Sequence, residues 1–272
     1  MRSRAEKIMG NKKGRSHSNK TKTSSKRPET SKEVLENIRL NKYIANAGVC
    51  SRREADKLIE KGDVTVNGDT ITEMGHKVSD SDDVRYLGKR LKKERYKYIL
   101  LNKPKNYITT VSDTHDRQTV MELIEGACSE RVYPVGRLDR NTTGLLLFTN
   151  DGELTKRLTH PSYEVKKIYE AVLDKPLEED HLEKLTEGVE LEDGVSVFDS
   201  AEYNGAPGQK TIVMVSIHSG KNRIVRRMFE ELNYEVIKLD RIEFAGLKKG
   251  KVTRGKWRIL DKKEVGFLKT SK

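Results

Sequence analysis

The sequence predicts an α+β protein in two folded units behind a basic tail, and three observations carry that reading. Gly10–Glu33 contains no apolar or aromatic side chain. Between about Ile38 and Leu87, helical spacing gives way to short alternating strands. From Tyr98 onward, strand and helix signals mix without the strict alternation that a doubly wound parallel sheet requires.

The tail comes first. The chain has 272 residues and a formal charge of +12, and residues 1–32 hold eleven bases against two acids. Most of the net charge is therefore concentrated there, and the total says little about the folded part. A segment with nothing to bury cannot offset its conformational entropy, so 1–37 is expected to be a disordered basic arm. It either touches phosphate non-specifically or is a solvated extension. No run approaches the roughly 20 apolar residues of a membrane-spanning helix. The tail lacks the apolar stretch of a signal peptide. Two cysteines, Cys50 and Cys128, are too few for a disulfide scaffold. A cytoplasmic protein is expected, with no membrane partner and nothing pointing beyond a monomer.

The first unit is expected over 38–87. Leu40, Tyr43, Ile44 and Ala47 recur at helical spacing, and Gly48 can end that helix. Ser51-Arg-Arg-Glu54 is a capping box that opens a second helix, with Ala55, Leu58 and Ile59 on one face and Gly62 just past its end. Val64-Thr-Val66 then runs into Asn67-Gly68, a strong two-residue hairpin turn. Arg39 and Lys42 on the first helix, with Arg52, Arg53 and Lys57 on the second, give this small unit a positive face. Residues 88–97 are charged and are expected to be a linker.

The second unit is expected over 98–268. Its strand signals are Tyr98–Leu101, Gly144–Thr149, Val165–Leu173, Thr211–Ile217 and Glu235–Glu243. Its helix signals are Gln118–Glu125, Glu178–Glu187 and Lys221–Glu231.

Common cofactor chemistry finds no foothold. There is no zinc spacing among the histidines and cysteines, no His-Glu-x-x-His, no G-x-G-x-x-G and no P-loop around Gly220-Lys221. Three features stand out instead. The loop Gly136-Arg137-Leu138-Asp139-Arg140-Asn141-Thr142-Thr143-Gly144 joins two apolar segments. Its glycines permit tight turns or close approach of another backbone. A carboxylate flanked by cations stays ionised, and an ionised carboxylate is a competent nucleophile. A structural Asp–Arg pair is the commoner arrangement, and spacing alone does not separate the two. Second, His218–Phe229 opens a helix with Lys221, Arg223, Arg226 and Arg227. One arginine there can meet a carboxylate while others meet phosphate. Third, alternation puts Val165, Lys167 and Tyr169 on one side of a strand, where Tyr169 is either a base-stacking platform or a core residue.

Arg39–Gly48, Ser51–Asp56 and Gly62–Gly68 together resemble the S-four-type RNA-binding domain, which implies binding of structured RNA. Gly136-Arg-Leu-Asp139 with Thr143–Leu154, Asn102-Lys103-Pro104 and Gly220–Met228 resemble pseudouridine synthases of the RsuA/RluB type, over about Arg39 to Leu268. The resemblance implies a mixed, mostly antiparallel sheet flanked by helices, crossed by a cleft, with no cofactor or metal. It places Asp139 on the family's catalytic aspartate, Tyr169 on the residue stacking the target uracil, and Arg226 on the basic partner of the aspartate. Lys103, Arg137, Arg140, Lys221 and Arg223, with the first unit's Arg39, Lys42, Arg52, Arg53 and Lys57, are the expected RNA contacts. The implied reaction isomerises uridine to pseudouridine in ribosomal RNA, free or in a partly assembled particle. Thr149–Leu154, His160–Val165 and Leu191–Gly194 favour the large-subunit branch. The alternatives are the small-subunit RNA as substrate, or a non-catalytic assembly factor that binds ribosomal RNA.

Overall fold

The computed structural model describes residues 37–270. The disordered arm expected over 1–37 lies, but for Asn37, outside the described residues.

The first unit opens with β1 (Ile38–Arg39), α1 (Leu40–Asn46) and α2 (Arg52–Glu60). Ser51 accepts from the Glu54 amide while the Glu54 carboxylate accepts from the Ser51 amide at 2.7 Å, a reciprocal cap that contributes about 1 kcal/mol. Gly62, at φ +75°, ends α2. The Gly62 amide donates to the Ile59 carbonyl and the Asp63 amide to that of Leu58, which is the Schellman arrangement. β2 (Val64–Val66) and β3 (Asp69–Thr70) form the hairpin, with positive φ at both Asn67 and Gly68. β4 (Lys77–Val78) pairs with β1, and β5 (Val84–Tyr86) pairs with β2. Leu40, Ile44, Ala55, Ile59, Val64 and Val84 make a small core between helices and sheet.

The segment expected as a linker, 88–97, begins instead as β6 (Lys89–Arg90), antiparallel to β5, and Leu91 is buried in the same core. Leu87 and Gly88 both adopt positive φ and turn the chain back. An edge strand points charged side chains at solvent, so its composition read as a linker.

The second unit is one sheet with helices around it. Its elements are β7 (Tyr98–Lys103), β8 (Tyr133–Pro134), β9 (Thr143–Thr149), α3 (Gly152–Thr159), β10 (Lys167–Leu173), α4 (Glu179–Glu187), β11 (Ser200–Tyr203), β12 (Ile212–Ile217), α5 (Ile224–Glu231), β13 (Val236–Phe244), β14 (Leu247–Lys248), β15 (Trp257–Ile259) and α6 (Lys262–Thr270). The strand order is β11-β12-β10-β13-β9-β7-β15, with β14 on β13 and β8 on β9. Every pairing is antiparallel except the central one between β13 and β9. The mixed, mostly antiparallel sheet is thus as expected.

That parallel junction dictates a residue. Thr143 and Gly144 pair with Asp240 and Arg241. A Cβ on Gly144 would lie 2.3 Å from the Arg241 carbonyl oxygen, and its φ is +109°. Only glycine fits.

Apolar burial supports the sheet on both faces. α4 and α5 cover β10, β12 and β13 through Leu185, Val225, Met228 and Phe229. Leu154 and Leu158 of α3 and Leu268 of α6 pack with Leu145 and Leu147. Ile99, Leu101, Leu146 and Phe148 pack with Leu138 on the other face.

Some boundaries moved. The helix expected at Gln118–Glu125 is one 3-10 turn, Glu122–Ile124. Its first residues are instead extended, with Thr119 bridging Ile108. The helix expected from Lys221 starts at Ile224, because Arg223 adopts φ +47°. The strand expected from Val165 starts at Lys167. The helices α3 and α6 and the short strands β8, β11, β14 and β15 were not anticipated.

Candidate active site

The loop before β9 is built from the inside out. Leu138 is buried in the core beneath the sheet, and Thr109 grips its backbone from both sides: the Thr109 hydroxyl donates to the Leu138 carbonyl at 2.7 Å and accepts from its amide at 3.2 Å. With Leu138 pointing in, the next residue, Asp139, points out. A turn closes behind it, the Thr142 amide donating to the Asp139 carbonyl.

Lys103 holds this loop from below. It is 0% exposed. Its ammonium donates to the carbonyls of Pro104 (3.1 Å), Asp139 (3.0 Å), Arg140 (3.3 Å) and Thr142 (2.8 Å). Burial pushes its pKa down to about 8, against the pull of Asp139 and with a further push from Arg254. A buried ammonium is costly unless fully hydrogen-bonded, and the loop carbonyls are what it bonds to. This corrects the expectation that Lys103 contacts RNA: it is a loop brace with no surface to offer.

Asp139 opens into a cleft of about 420 Å³. Tyr169 lines it from β10, Leu239 and Arg241 from β13, Leu158 and Thr159 from α3, and Ser219–Val225 from the start of α5. The register shifts between Ile168 and Tyr169, where β13 carries an extra residue, Ile242, opposite the tyrosine. Bulges re-aim side chains at such places. A second hollow, of about 620 Å³, adjoins through Arg137, Leu138, Asp139 and Arg223, and is walled by Thr109, Thr110 and Arg117.

The cleft has one acid and five bases. Arg137, Lys167, Lys221, Arg223 and Arg241 line it with Asp139. The Lys167 ammonium donates to the His218 carbonyl at 2.6 Å, and burial followed by the charge of Arg241 lowers its pKa to about 8. Lys221 and Arg227 engage Asp193, and Arg223 pairs with Glu230 at 3.1 Å. The Asp139 carboxylate has no ion pair or side-chain hydrogen bond among the described residues.

The pairing expected between Arg226 and Asp139 takes a different form here. Arg226 is buried on α5 and its guanidinium donates to the Val236 carbonyl. Burial first, then Arg223, lowers its pKa, while Asp139 acts the other way. The two residues attract through space without a salt bridge. The other expected contacts separate into two groups. Arg137 and Arg140 are exposed on the Asp139 loop. Arg39, Arg52, Arg53 and Lys57 are exposed on the first unit and line neither hollow. Lys42 is half-buried, and its ammonium ion-pairs with the exposed Glu153 of α3.

Arg241 is the main cleft residue that sequence reasoning missed. It is 4% exposed, donates from Nε to the Leu145 carbonyl at 2.8 Å, and lies over the Phe244 ring. One of its guanidinium nitrogens is buried without a partner, as is the Thr142 hydroxyl. The available signal was the alternation of β13, which puts Arg241 on the same side as the buried Leu239. Among the described residues no group of His, Cys, Asp and Glu could hold a metal ion.

Known proteins resemble this chain. A family model for RNA pseudouridylate synthases matches residues 97–231, and an S4 domain model matches 38–84. An RNA pseudouridine synthase of Aquifex aeolicus is 41% identical over 233 residues, 85% of this chain and 93% of its own. The ribosomal large subunit pseudouridine synthase B of Bacillus subtilis is 42% identical over 85% of this chain and 95% of its own. A crystal structure of a pseudouridylate synthase superposes with a TM-score of 0.60 at 27% identity, over 85% of this chain and 99% of that one. A cleft centred on one aspartate and a separate basic helical unit thus coincide with similarity over nearly the whole of these relatives, and the chain belongs to the RNA pseudouridylate synthase family, as an enzyme carrying an S4 domain ahead of its catalytic domain.

Proposed function

We propose that the protein isomerises a uridine of large-subunit ribosomal RNA to pseudouridine, with Asp139 as the catalytic carboxylate. The observation that carries the assignment is that Asp139 is the sole acid of a cleft lined by five bases, held by its backbone and unpartnered at its carboxylate. A basic cleft attracts a polyanion, and the one carboxylate in it is free to react. The Bacillus subtilis and Yersinia pestis relatives, both named ribosomal large subunit pseudouridine synthase B, support the substrate class at 42% and 36% identity.

The reaction breaks the C1′–N1 bond, rotates the uracil and joins C1′ to C5; the C5 proton leaves and N1 takes up a proton, so the atoms of uridine and pseudouridine balance. No group is donated and nothing is oxidised. The base must first leave its stack, which costs a few kcal/mol, and stacking on Tyr169 would return about 1–3 kcal/mol. The cleft has room for a single nucleotide to enter. Asp139 then attacks C1′ or removes a proton at C2′, and both routes need the carboxylate where the loop holds it. Arg226, within electrostatic reach, would orient that carboxylate once the base excludes water.

The test is tritium release from C5-labelled transcripts, large- and small-subunit separately, with wild type and Asp139→Asn. Release from the large-subunit transcript, lost in the variant with RNA affinity retained, is expected. Substantial release by the variant would remove Asp139 from the chemistry. Tight binding without release from either transcript would favour a non-catalytic role.

A further inference from the structure

We propose that the end of the sheet beside the cleft, together with the reverse face behind it, forms a second RNA surface that binds the phosphodiester backbone running on from the target uridine. This rests on the reading that the cleft accepts an RNA uridine, and it adds a surface that the cleft chemistry does not need.

The topology brings three segments to one end of the sheet. Lys103 pairs with Gly144, and Asp240 pairs with Thr143. The end of β7, the start of β9 and the middle of β13 therefore lie level. The chain leaving β7 touches the catalytic loop, the Asn106 amide donating to the Arg140 carbonyl at 2.9 Å. The loop between β14 and β15 closes on the same place: the Asn102 amide side chain donates to the Val252 carbonyl at 2.8 Å, and the Gly255 amide donates to the Asn102 carbonyl. A path leads from Asp139 over Arg140 to Lys105, and from there to the reverse face.

On that face is a hollow of about 350 Å³ lined by Lys105, Lys238, Arg254, Thr143, Glu170, Val172 and Asp240. Alternation explains its side. Leu239 and Arg241 face the cleft, so Lys238 and Asp240 face away.

The charges here are not paired off. Arg140, Lys105, Lys238, Lys251 and Lys256 are exposed, and none has an ion-pair partner among the described residues. The two acids of the hollow are engaged: Asp240 with Arg254 at 2.9 Å and with Lys249, and Glu170 as acceptor from Asn204 at 2.8 Å. Five free cations remain beside them.

The surface is also tied together by hydrogen bonds. Arg254 donates to the Asn102 side chain, the Lys103 carbonyl and both oxygens of Asp240. Burial pushes the Asp240 carboxyl up, but the hydrogen bonds from Arg254 and Lys249 outweigh it and bring its pKa down to about 2. The pair ties down a loop that carries several lysines. A preorganised surface loses less freedom on binding than a flexible one. Spaced cations without aromatic platforms suit a sugar–phosphate backbone and read no sequence.

The test uses the full chain with full-length large-subunit transcript as probe. Affinity is measured across a salt series for wild type, for Lys105→Gln/Lys238→Gln/Lys251→Gln, and for Lys184→Gln/Lys262→Gln/Lys263→Gln, a control of equal charge change on α4 and α6. The first triple should bind about 10- to 100-fold more weakly at low salt, with a log–log salt slope smaller by about two to three, because each phosphate contact contributes roughly 0.7–0.9. The control should keep the wild-type slope. An unchanged first triple, or an equal fall in both, would overturn the surface. Failure of wild type to release tritium would count against the reaction assignment alone, since the salt slopes are read without turnover.

Discussion

Replacing Lys103 by Met keeps most of the volume of the side chain and removes only the charge and its donors. Of the four carbonyls that the ammonium serves, two keep another donor: Asp139 accepts from the Thr142 amide at 3.0 Å and Arg140 from the Asn106 amide at 2.9 Å. The Pro104 and Thr142 carbonyls keep no other side-chain donor. Two orphaned buried acceptors cost about 1–3 kcal/mol each. Relief from burying an ammonium offsets part of this. The net destabilisation should be about 2–4 kcal/mol, or a fall in Tm of roughly 4–16 °C for a protein of this size.

The same change should slow catalysis, since misplacing a reacting group by about 1 Å costs on the order of a hundredfold. Thermal unfolding and single-turnover tritium release check both effects. RNA affinity and its salt slope should not change, because Lys103 has no exposed surface. A variant with wild-type Tm and wild-type rate would refute the brace. A salt slope lower by about one would return Lys103 to the list of phosphate contacts.

The other expectations rest on separate parts of the molecule. Arg52→Ala with Arg53→Ala, at the exposed start of α2, should weaken RNA binding and lower the salt slope by up to about two, and an unchanged slope would show that the S4 domain is not a docking arm. Gly144→Ala forces a Cβ to 2.3 Å from the Arg241 carbonyl oxygen, an overlap with backbone that should cost more than about 4 kcal/mol and appear as loss of soluble protein or a collapsed Tm. Asp240 has a folded pKa of about 2 against an ordinary 3.8, so its stabilisation is complete above about pH 4 and disappears as pH falls towards 2. That limb is worth about 2 kcal/mol, and Asp240→Asn should lower stability at pH 7 and flatten the acid limb of a urea-midpoint profile. A wild-type acid limb in that variant would mean that the Arg254 and Lys249 contacts contribute nothing.

What was legible in the sequence followed local rules. The Ser51–Glu54 cap, the Gly62 stop and the Asn67-Gly68 turn each depend on a few adjacent residues, and each is present. Gly144 was legible as a close approach, though not what it approaches, because the partner strand lies almost a hundred residues away. Lys103 could not be read correctly. A lysine beside Asn and Pro carries no mark of complete burial, and three of its four partners are backbone carbonyls of a distant loop, which have no sequence signature. Arg241 was hidden for a similar reason, being one charge in a strand with polar residues on both faces. β6 failed on composition, since edge strands look like linkers. The helices α3 and α6 are short and polar on one side, and their apolar positions gain meaning only against the sheet.

Asp139 is placed by the groups around its backbone rather than by partners of its carboxylate. Leu138 anchors the loop in the core, Thr109 fixes that anchor, and Lys103 gathers the carbonyls behind it. A carboxylate held instead in a close arginine pair would have to break that pair, or react with its charge already shared. The parallel β9–β13 junction makes the alternative possible. It sets the Asp139 loop and the start of α5 on facing walls, so the bases of α5 and β13 supply attraction for a polyanion across the cleft while leaving the carboxylate unbound. Arg226, tied to the Val236 carbonyl, belongs to the same logic: it contributes charge at a distance and makes no ion pair with Asp139. On the proposed function, binding and chemistry fall to different atoms of one cleft, and a single unpaired acid among five bases fits a reactive centre better than a structural ion pair.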